Sequence, residues 1–422
     1  MARTTLTTPL RNPVYRRLFT AQVIGLVGAG LSTVAMGLLA FEIAGGNAGE
    51  VLGVVLALKV ATYVLVSPVV AAWGANIPRK QLLIAMDLIR AAAIGAVAFV
   101  DQTWQFYVLI VVVSAASAGF TPAFQALIPD IFEDEEEYTQ ALSLHRIAYE
   151  TEALFSPMLA GLLLAMVSYH ALFAFNAAAF LVSASLVLVT AVPLIRNSEL
   201  GSRSIAQINR GIRHFFSVPR LRGLFALDWA VAAAGAMVII NTVVFVKGEW
   251  GLGDSEVAWA LGAFGAGSMV VALSLPRVFR RSQDRTVMLI GGALQALALA
   301  ATWLFVGSLA GLILCWILIG AGTSMILTSS GRLIQRSAPS ADRPPLFAAQ
   351  FSLSHFCWLF TYPIAGFAGG ALSLQAAAAI LAGIAAAGTI AAALLWRRSD
   401  PAAVVPGTGP GSLSVPAPGP EA

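Results

Sequence analysis

Residues 145–161 read HRIAYETEALFSPMLAG. Arg146, Glu150 and Glu152 lead here straight into an apolar run, LFSPMLAGLLLAMV, at 154–167. Ionisable side chains at the mouth of a membrane-length helix are expensive, so they are paired, wetted or functional. Working outward, windows of about 20 apolar residues, enough to cross a bilayer, recur along the whole chain. They run Leu18–Ala44, Val51–Trp73, Leu82–Val100, Phe106–Ile128, Thr139–Val167 and Ala171–Ile195, and then Leu221–Val246, Val257–Val278, Thr286–Gly307, Leu309–Leu333, Leu346–Gly370 and Leu372–Trp396. The expected fold is an all-α membrane protein of twelve transmembrane helices in two six-helix halves, 18–195 and 221–396. A short N-terminus (1–17), a linker (196–220) and a tail (397–422) complete the chain.

Composition points the same way. Of 422 residues, 58% are hydrophobic and 11% charged, whereas a soluble domain carries roughly 25% charged residues. The apolar segment behind the basic N-terminus is too long for a signal-peptide core, and it reads as an uncleaved first span. Cys315 and Cys357 both lie in apolar runs, where packing is their expected role. No Lys follows a Gly-rich loop to cradle ATP phosphates, and the glycines at 25, 28, 30 and 262, 265, 267 lie inside spans in the wrong order for a dinucleotide turn. Four His with no Cys or His pair at ligand spacing argue against a stable metal site. A nucleic-acid surface is likewise absent, so the reading is of a protein that is not an enzyme and needs no cofactor.

Lys and Arg placement gives the orientation. Of the 25 basic residues, 21 fall on the N-terminus, the linker, the tail and the loops on that same side. Both termini are therefore expected in the cytoplasm of a cell (inner) membrane. The linker carries Ile205, Ile208, Ile212, Phe215 and Phe216 at helical spacing with Arg203, Arg210 and Arg213 between them, which predicts a helix lying in the headgroup layer. The tail, rich in Pro, Ala and Gly, is expected to be disordered. The acidic run EDEEE at 133–137 precedes a helix start, where carboxylates suit the dipole.

The two halves repeat. Pro13, Arg16, Leu18 and Phe19 recur as Pro219, Arg222, Leu224 and Phe225, each 206 residues later. Pro129, Gln140 and His145 recur as Pro339, Gln350 and His355, each 210 later. Parallel repeats of this kind place a substrate site between the halves near the bilayer midplane.

With the repeat, NPVYRRLFTAQVIGLVG at 12–28, TPAFQALIPD at 121–130 and FSPMLAG at 155–161, residues 10–396 resemble the major facilitator superfamily. Within it, they look most like bacterial drug and metal exporters of the macrolide-efflux and nickel-resistance type. The loop between spans 2 and 3, AAWGANIPRKQLL, keeps Arg79 and Lys80 of the family's pattern. Ala75 stands where an Asp is usual, so the charge latch of relatives is in doubt. Asp87 and Arg90, three apart on span 3, are placed to pair with each other. In span 5 the exporters' Gly-x-x-x-Gly-Pro-x-x-Gly-Gly pattern becomes Glu152, Ser156, Pro157, Ala160 and Gly161. Pro157 is expected to bend the span, as is Pro363 in span 11, and Gly161 to let helices approach.

Among the charges, Arg146 and Glu150 share a face and neutralise one another, while Glu152 lies about 200° round from Glu150. Glu152 is either interfacial or a coupling or substrate-contact residue. Lys59 either snorkels or pairs with Glu42, or serves the cavity. Asp228, aligned with Gln22 and expected near the cytoplasmic mouth of span 7, and His355 are further coupling candidates. The resemblance implies that spans 1, 4, 7 and 10 face the cavity. Polar candidates for its lining are Ser32, Thr33, Ser114 and Ser117, with Asn241, Thr242, Thr323 and Ser324 in the second half. Trp358, Tyr362 and Trp259 are candidate aromatic walls. The implied function is proton-coupled export of a small amphiphilic or drug-like molecule across the lipid bilayer by alternating access. Export of a divalent metal or siderophore, uptake or uniport, and a membrane protein that does not transport are the alternatives.

Overall fold

The computed structural model describes residues 7–74, 77–132, 134–164, 166–191, 211–278, 283–305, 307–337 and 343–397. Twelve long helices run through them, as hydrocarbon demands of a chain that must satisfy its backbone internally. In the first half these are α1 Pro13–Ala44, α2 Ala48–Gly74, α3 Arg79–Val97, α4 Thr103–Ile131, α5 Glu135–Leu164 and α6 Tyr169–Val189. In the second they are α7 Pro219–Val243, α8 Asp254–Val278, α9 Asp284–Phe305, α10 Leu309–Gln335, α11 Arg343–Ala371 and α12 Leu374–Leu395. The last turns of α7 continue as a π-helix, Val244–Glu249. Eight helical stretches among the described residues are apolar and long enough to cross a membrane, the first joining α1 to α2. Helices α3, α5 and α11 are not among these stretches; α3 carries Asp87 and Arg90, and α5 carries Glu152.

Several helices outrun their apolar windows at polar ends. At the start of α1, Asn12 accepts hydrogen bonds from the Val14 and Tyr15 backbone N–H groups at 2.9 and 3.3 Å, and Pro13 takes the first helical position. Cap and proline together start the helix five residues before Leu18, because apolarity marks the hydrocarbon segment and not the helix end. Before α5, Asp134 accepts from the Glu137 N–H at 3.0 Å, so one acid of the EDEEE run caps the helix. Helix α6 stops earlier than expected, with Thr190 extended. Of the linker, only its end is described, as a helix over 211–217; there Phe215 is buried and Phe216 meets the Phe225 ring edge-on at 5.5 Å. The rest of the predicted interfacial helix and the tail beyond 397 lie outside the described residues.

The halves share one core at one end and part at the other. A single apolar cluster joins α1 and α2 to α7, α8 and α11 on the face away from the N-terminus, hereafter the distal face. On the opposite, basic face the first half packs Tyr15, Leu18, Leu83 and Phe124 in a core of its own, and the second half does so with Phe215, Leu224, Ile334 and Trp396. Glycine sets the distal closure, as small residues do where helices meet in lipid. A Cβ on Gly53 of α2 would stand 2.9 Å from the Tyr362 carbonyl of α11, and one on Gly366 would overlap the Gly49 carbonyl. In the other seam, a Cβ on Gly161 of α5 would lie 2.6 Å from the Ala258 carbonyl of α8.

Because the atoms in the way are backbone, rotamer changes cannot relieve a larger residue there. Gly366→Ala is expected to destabilise the detergent-solubilised protein by about 1–3 kcal/mol, the usual cost of overpacking, read as a fall in the thermal unfolding midpoint. Gly383→Ala on α12, where nothing lies within 4 Å of an added Cβ, is the control expected to leave that midpoint unchanged.

Candidate functional site

One stripe of α1 holds Phe19, Leu26, Gly30 and Gly37, spaced seven, four and seven apart and so aligned within about 20°. Gly37 packs against Val243 of the second half, 3.3 Å from an added Cβ to its Cγ2. Lower on the stripe, Gly30 meets Glu152 and Ser156 of α5. A cleft of about 270 Å³ follows it, walled by Phe19, Val23 and Leu26 of α1 and by Leu144, Phe155 and Leu159 of α5. Glu152 and Ser156 also line it.

Glu152 accepts a hydrogen bond from Ser156 Oγ at 2.8 Å. It sits 12 residues before the distal end of α5, about 18 Å along the axis, which places it deep in the span and not at the interface. A carboxylate here is accommodated by the facing helix: a Cβ on Gly30 of α1 would overlap both Glu152 Oε1 and Ser156 Oγ. The small residue that span 5 lacks at 152 is supplied by span 1, and residue 152 alone carries no sign of it.

Lys59 lies 11 residues into α2, about 17 Å below the same face. Its electrostatic partner is Glu152, which corrects the expected pairing with Glu42. Glu42 is two residues from the end of α1, roughly 14 Å higher by the same rise, beyond a lysine's reach. There Glu42 accepts the Tyr169 hydroxyl. Beside Lys59, Tyr63 hydrogen-bonds Ser117 of α4 and lies within the fields of Glu152 and Arg90. The side chains of Arg146, Glu150 and Pro157 lie outside the described residues.

Asp87 and Arg90 form a buried ion pair on α3. Ser183 Oγ donates to the second Asp87 oxygen at 2.7 Å, and the Arg90 guanidinium lies 4.1 and 4.3 Å from the ring centres of Phe120 and Phe180. This arrangement serves packing among α3, α4 and α6. Arg79 is buried at the start of α3, and Lys80 donates to the Thr190 carbonyl at 2.9 Å. The acid missing from the loop at 75 has a counterpart in the second half: Asp284, first residue of α9, is held by Arg332 and by Arg336, the latter at 3.1 Å.

The repeated polar residues meet different partners. His145 Nδ1 lies 2.6 Å from Gln22 Nε2 and 2.8 Å from its Oε1, with its ring stacked on Phe124. In the second half Gln350 Nε2 donates to both Asp228 oxygens, at 3.0 and 2.9 Å. His355, the counterpart of His145, points its Nδ1 at the Phe351 carbonyl of its own helix, 2.7 Å away.

Several lining candidates are used between helices instead. Ser32 accepts from Asn176 at 2.7 Å on the α6 side of α1, and Thr33 bonds Ala29 O at 3.1 Å. Asn241 donates to the Ala365 carbonyl at 3.2 Å, and Thr242 accepts from Trp316 at 2.7 Å. Thr323 accepts from Gln295 at 2.8 Å. Ser114 and Ser324 are buried, and Ser324 Oγ has no hydrogen-bond partner among the described residues. Trp259, 68% exposed, shares an outward stripe of α8 with Val270 and Leu273, the pattern of a lipid-facing surface and not of a cavity wall. Trp358 does face inward: its ring lies 4.9 Å from that of Tyr362 at an interplanar angle of 39°, and it occupies the space that a Cβ on Gly235 of α7 would need. Pro363 lies inside α11 without ending it.

The sequence profile of the Major Facilitator Superfamily matches residues 18–246 and again 229–418. A curated relative, an uncharacterized MFS-type transporter, YfiS, of Bacillus subtilis (strain 168), is 24% identical over 218 residues, 50% of this chain. The chain spans about half the length of that relative, 51%. Among solved structures, a point mutant of the nucleoside transporter NupG superposes with a TM-score of 0.69 at 13% identity over 91% of this chain and 100% of that one. An inward-facing bacterial homolog of the human lysosomal transporter Spinster does so with 0.68 at 15% identity, over 92% and 96%. A POT family transporter gives 0.66 at 11%, over 89% and 94%. At such identities the likeness is one of fold.

Breaking one side of a buried ion pair leaves the other charge stranded. Arg90→Leu or Asp87→Leu alone is expected to cost about 3–5 kcal/mol of stability. The double variant should cost less than the sum of the two, as measured by thermal unfolding in detergent.

Proposed function

The chain belongs to the major facilitator superfamily, and from that premise we propose that it is a secondary active transporter that exports small amphiphilic or drug-like molecules in exchange for protons. In this reading the basic face is cytoplasmic, the protein resides in the cell membrane, and the two halves rock about a midplane site so that it opens to each side in turn. The observation that carries the reading is Glu152, a carboxylate deep in α5 that lines an otherwise apolar cleft between α1 and α5. A carboxylate there holds a proton or a substrate cation, and the two exclude each other, which is the logic of exchange. The apolar walls favour an amphiphile. The drug-exporter side of the resemblance is preferred over the metal-exporter side because Lys59 repels a bare dication from the same carboxylate.

In everted membrane vesicles with an acidified lumen, substrate should accumulate while the pH gradient lasts and drain when a protonophore collapses it. Glu152→Gln is expected to abolish gradient-driven accumulation while leaving the amount of folded protein in the membrane unchanged. Wild-type accumulation by that variant would remove Glu152 from the coupling.

A further inference from the structure

Asp228 lies nine residues into α7 and Gln350 seven residues into α11, both within about 14 Å of the basic ends of their helices. Asp228 is 2% exposed and Gln350 3%, and their neighbours in sequence, Leu227 and Ala349, belong to the apolar core of the second half. The Gln350 amide nitrogen donates to both Asp228 oxygens, at 3.0 and 2.9 Å. Its own oxygen, Oε1, is buried and has no hydrogen-bond partner among the described residues. One amide nitrogen is shared between two acceptors while the amide's acceptor goes unused, where an unmet polar atom bears the full loss of its water.

The fold itself does not require an acid here. The repeat puts Gln22 at the equivalent position of α1, also buried, and there an uncharged amide meets His145. An acid costs more to bury than an amide when ionised, so the second half has gained a chemistry and not a better fit.

One proton satisfies both side chains at once. With it, the Asp228 hydroxyl donates to Gln350 Oε1 and the Gln350 nitrogen donates to the other Asp228 oxygen, a closed ring of two hydrogen bonds. Without it, both oxygens draw on the same nitrogen and Oε1 is stranded. We propose that Asp228 and Gln350 form a proton-binding site of the second half, and that the bound proton fastens α7 to α11 at the basic end. The site is separate from Glu152, and the inference does not rest on the exporter reading.

At this level α7 is faced by Gly388 of α12, against Ala226, and by Gly292 of α9, against Leu227. Helix α12 carries no ionisable side chain. On α9 and α10, Asp284 is held by Arg332 and Arg336, and Arg285 donates to the Ala393 and Trp396 carbonyls. On α11 the Cys357 thiol lies in the field of Asp228, and His355 faces the Phe351 carbonyl. On α7 itself Arg220 donates to Ser337 and to the Arg336 carbonyl, and Arg222 is about 120° round the helix from Asp228. The side chains of Arg277 and Arg343 lie outside the described residues.

The test uses the full-length protein in proteoliposomes, with aspartate carrying carbon-13 at its side-chain carboxyl, followed by infrared spectroscopy. At neutral pH the wild type is expected to show the carbonyl band of a protonated carboxylic acid that shifts down on aspartate labelling, which separates it from Glu152. The band should vanish in Asp228→Asn and move to higher frequency in Gln350→Met, where the amide is gone. Absence of any aspartic-acid band between about pH 5 and pH 9, or a band that survives Asp228→Asn, overturns the inference. Thermal unfolding in detergent reads the same proton independently. A folded state that keeps a proton which the unfolded chain has released loses stability as pH rises, so the wild-type midpoint should fall relative to that of Asp228→Asn between about pH 5 and pH 9. Asparagine, with an N–H for Oε1 and an oxygen for the Gln350 nitrogen, copies the protonated pair at every pH. A difference that stays flat, or one in which the wild type gains on the variant, overturns the inference. Should Asp228→Asn fail to fold, the isotope shift of the wild type and the displaced band of Gln350→Met decide alone.

Discussion

Hydrocarbon offers a buried charge no water, so each ionisable residue in the spans must find its answer in the protein. Most of the described ones find it at once. Asp87 takes Arg90 from its own helix and Ser183 from α6, and Arg90 lies between two aromatic faces. Asp228 receives both of its bonds to Gln350 from α11. Glu42 and Asp284 sit at helix ends, where Tyr169 and two arginines reach them. Glu152, deep in α5, takes the Ser156 hydroxyl at 2.8 Å and lies over Gly30 of α1.

Much of the architecture was legible in the sequence because hydropathy and the repeat are local signals. Pro13 and Pro219 mark the same helix start in each half, and the windows of apolar residues locate the hydrocarbon part of each span. Helix ends were less legible, since Asn12 and Asp134 extend helices through polar turns that hydropathy does not count. Least legible was which helix answers which charge. Glu152 looked misplaced because its small partner, Gly30, lies 122 residues earlier on another helix. Helical arithmetic within span 5 separated Glu152 from Glu150 but had no means of reaching Lys59 on span 2. Ser32 and Trp259 read as cavity residues by type; only the facing of α1 and α8 assigns them to a helix seam and to the outer surface.

The repeat preserves positions more faithfully than interactions. Gln22 and Asp228 occupy equivalent sites, as do His145 and His355, and Gln140 and Gln350. In the first half the α1 residue meets the histidine; in the second, the α7 residue meets the glutamine one turn and a half earlier. Substituting an acid for Gln22's counterpart changes what it needs: Gln350 supplies N–H groups to both oxygens, while His355 turns to a backbone carbonyl of its own helix. The halves also differ in what packs over their glycines: Glu152 lies over Gly30 in the first half, and Trp358 lies over Gly235 in the second.

The division has a mechanical consequence for the alternating access proposed here. Among the described residues no ion pair crosses between the halves. The distal closure is made of glycines against backbone, of Glu50 against Gly370, and of Lys247 lying 5.4 Å from the Phe41 ring while its ion pair, at 2.5 Å, is with Asp254 of its own half. Separating the halves there exposes van der Waals surface and one cation–π contact, worth about 0.5–1 kcal/mol where it is exposed, but strands no charge. The interactions that would be expensive to break, Asp87 with Arg90 and Asp284 with its arginines, all lie within a half. In the proposed rocking each half can therefore move as a body, because the described contacts across the seam include no ion pair that parting the halves would strand.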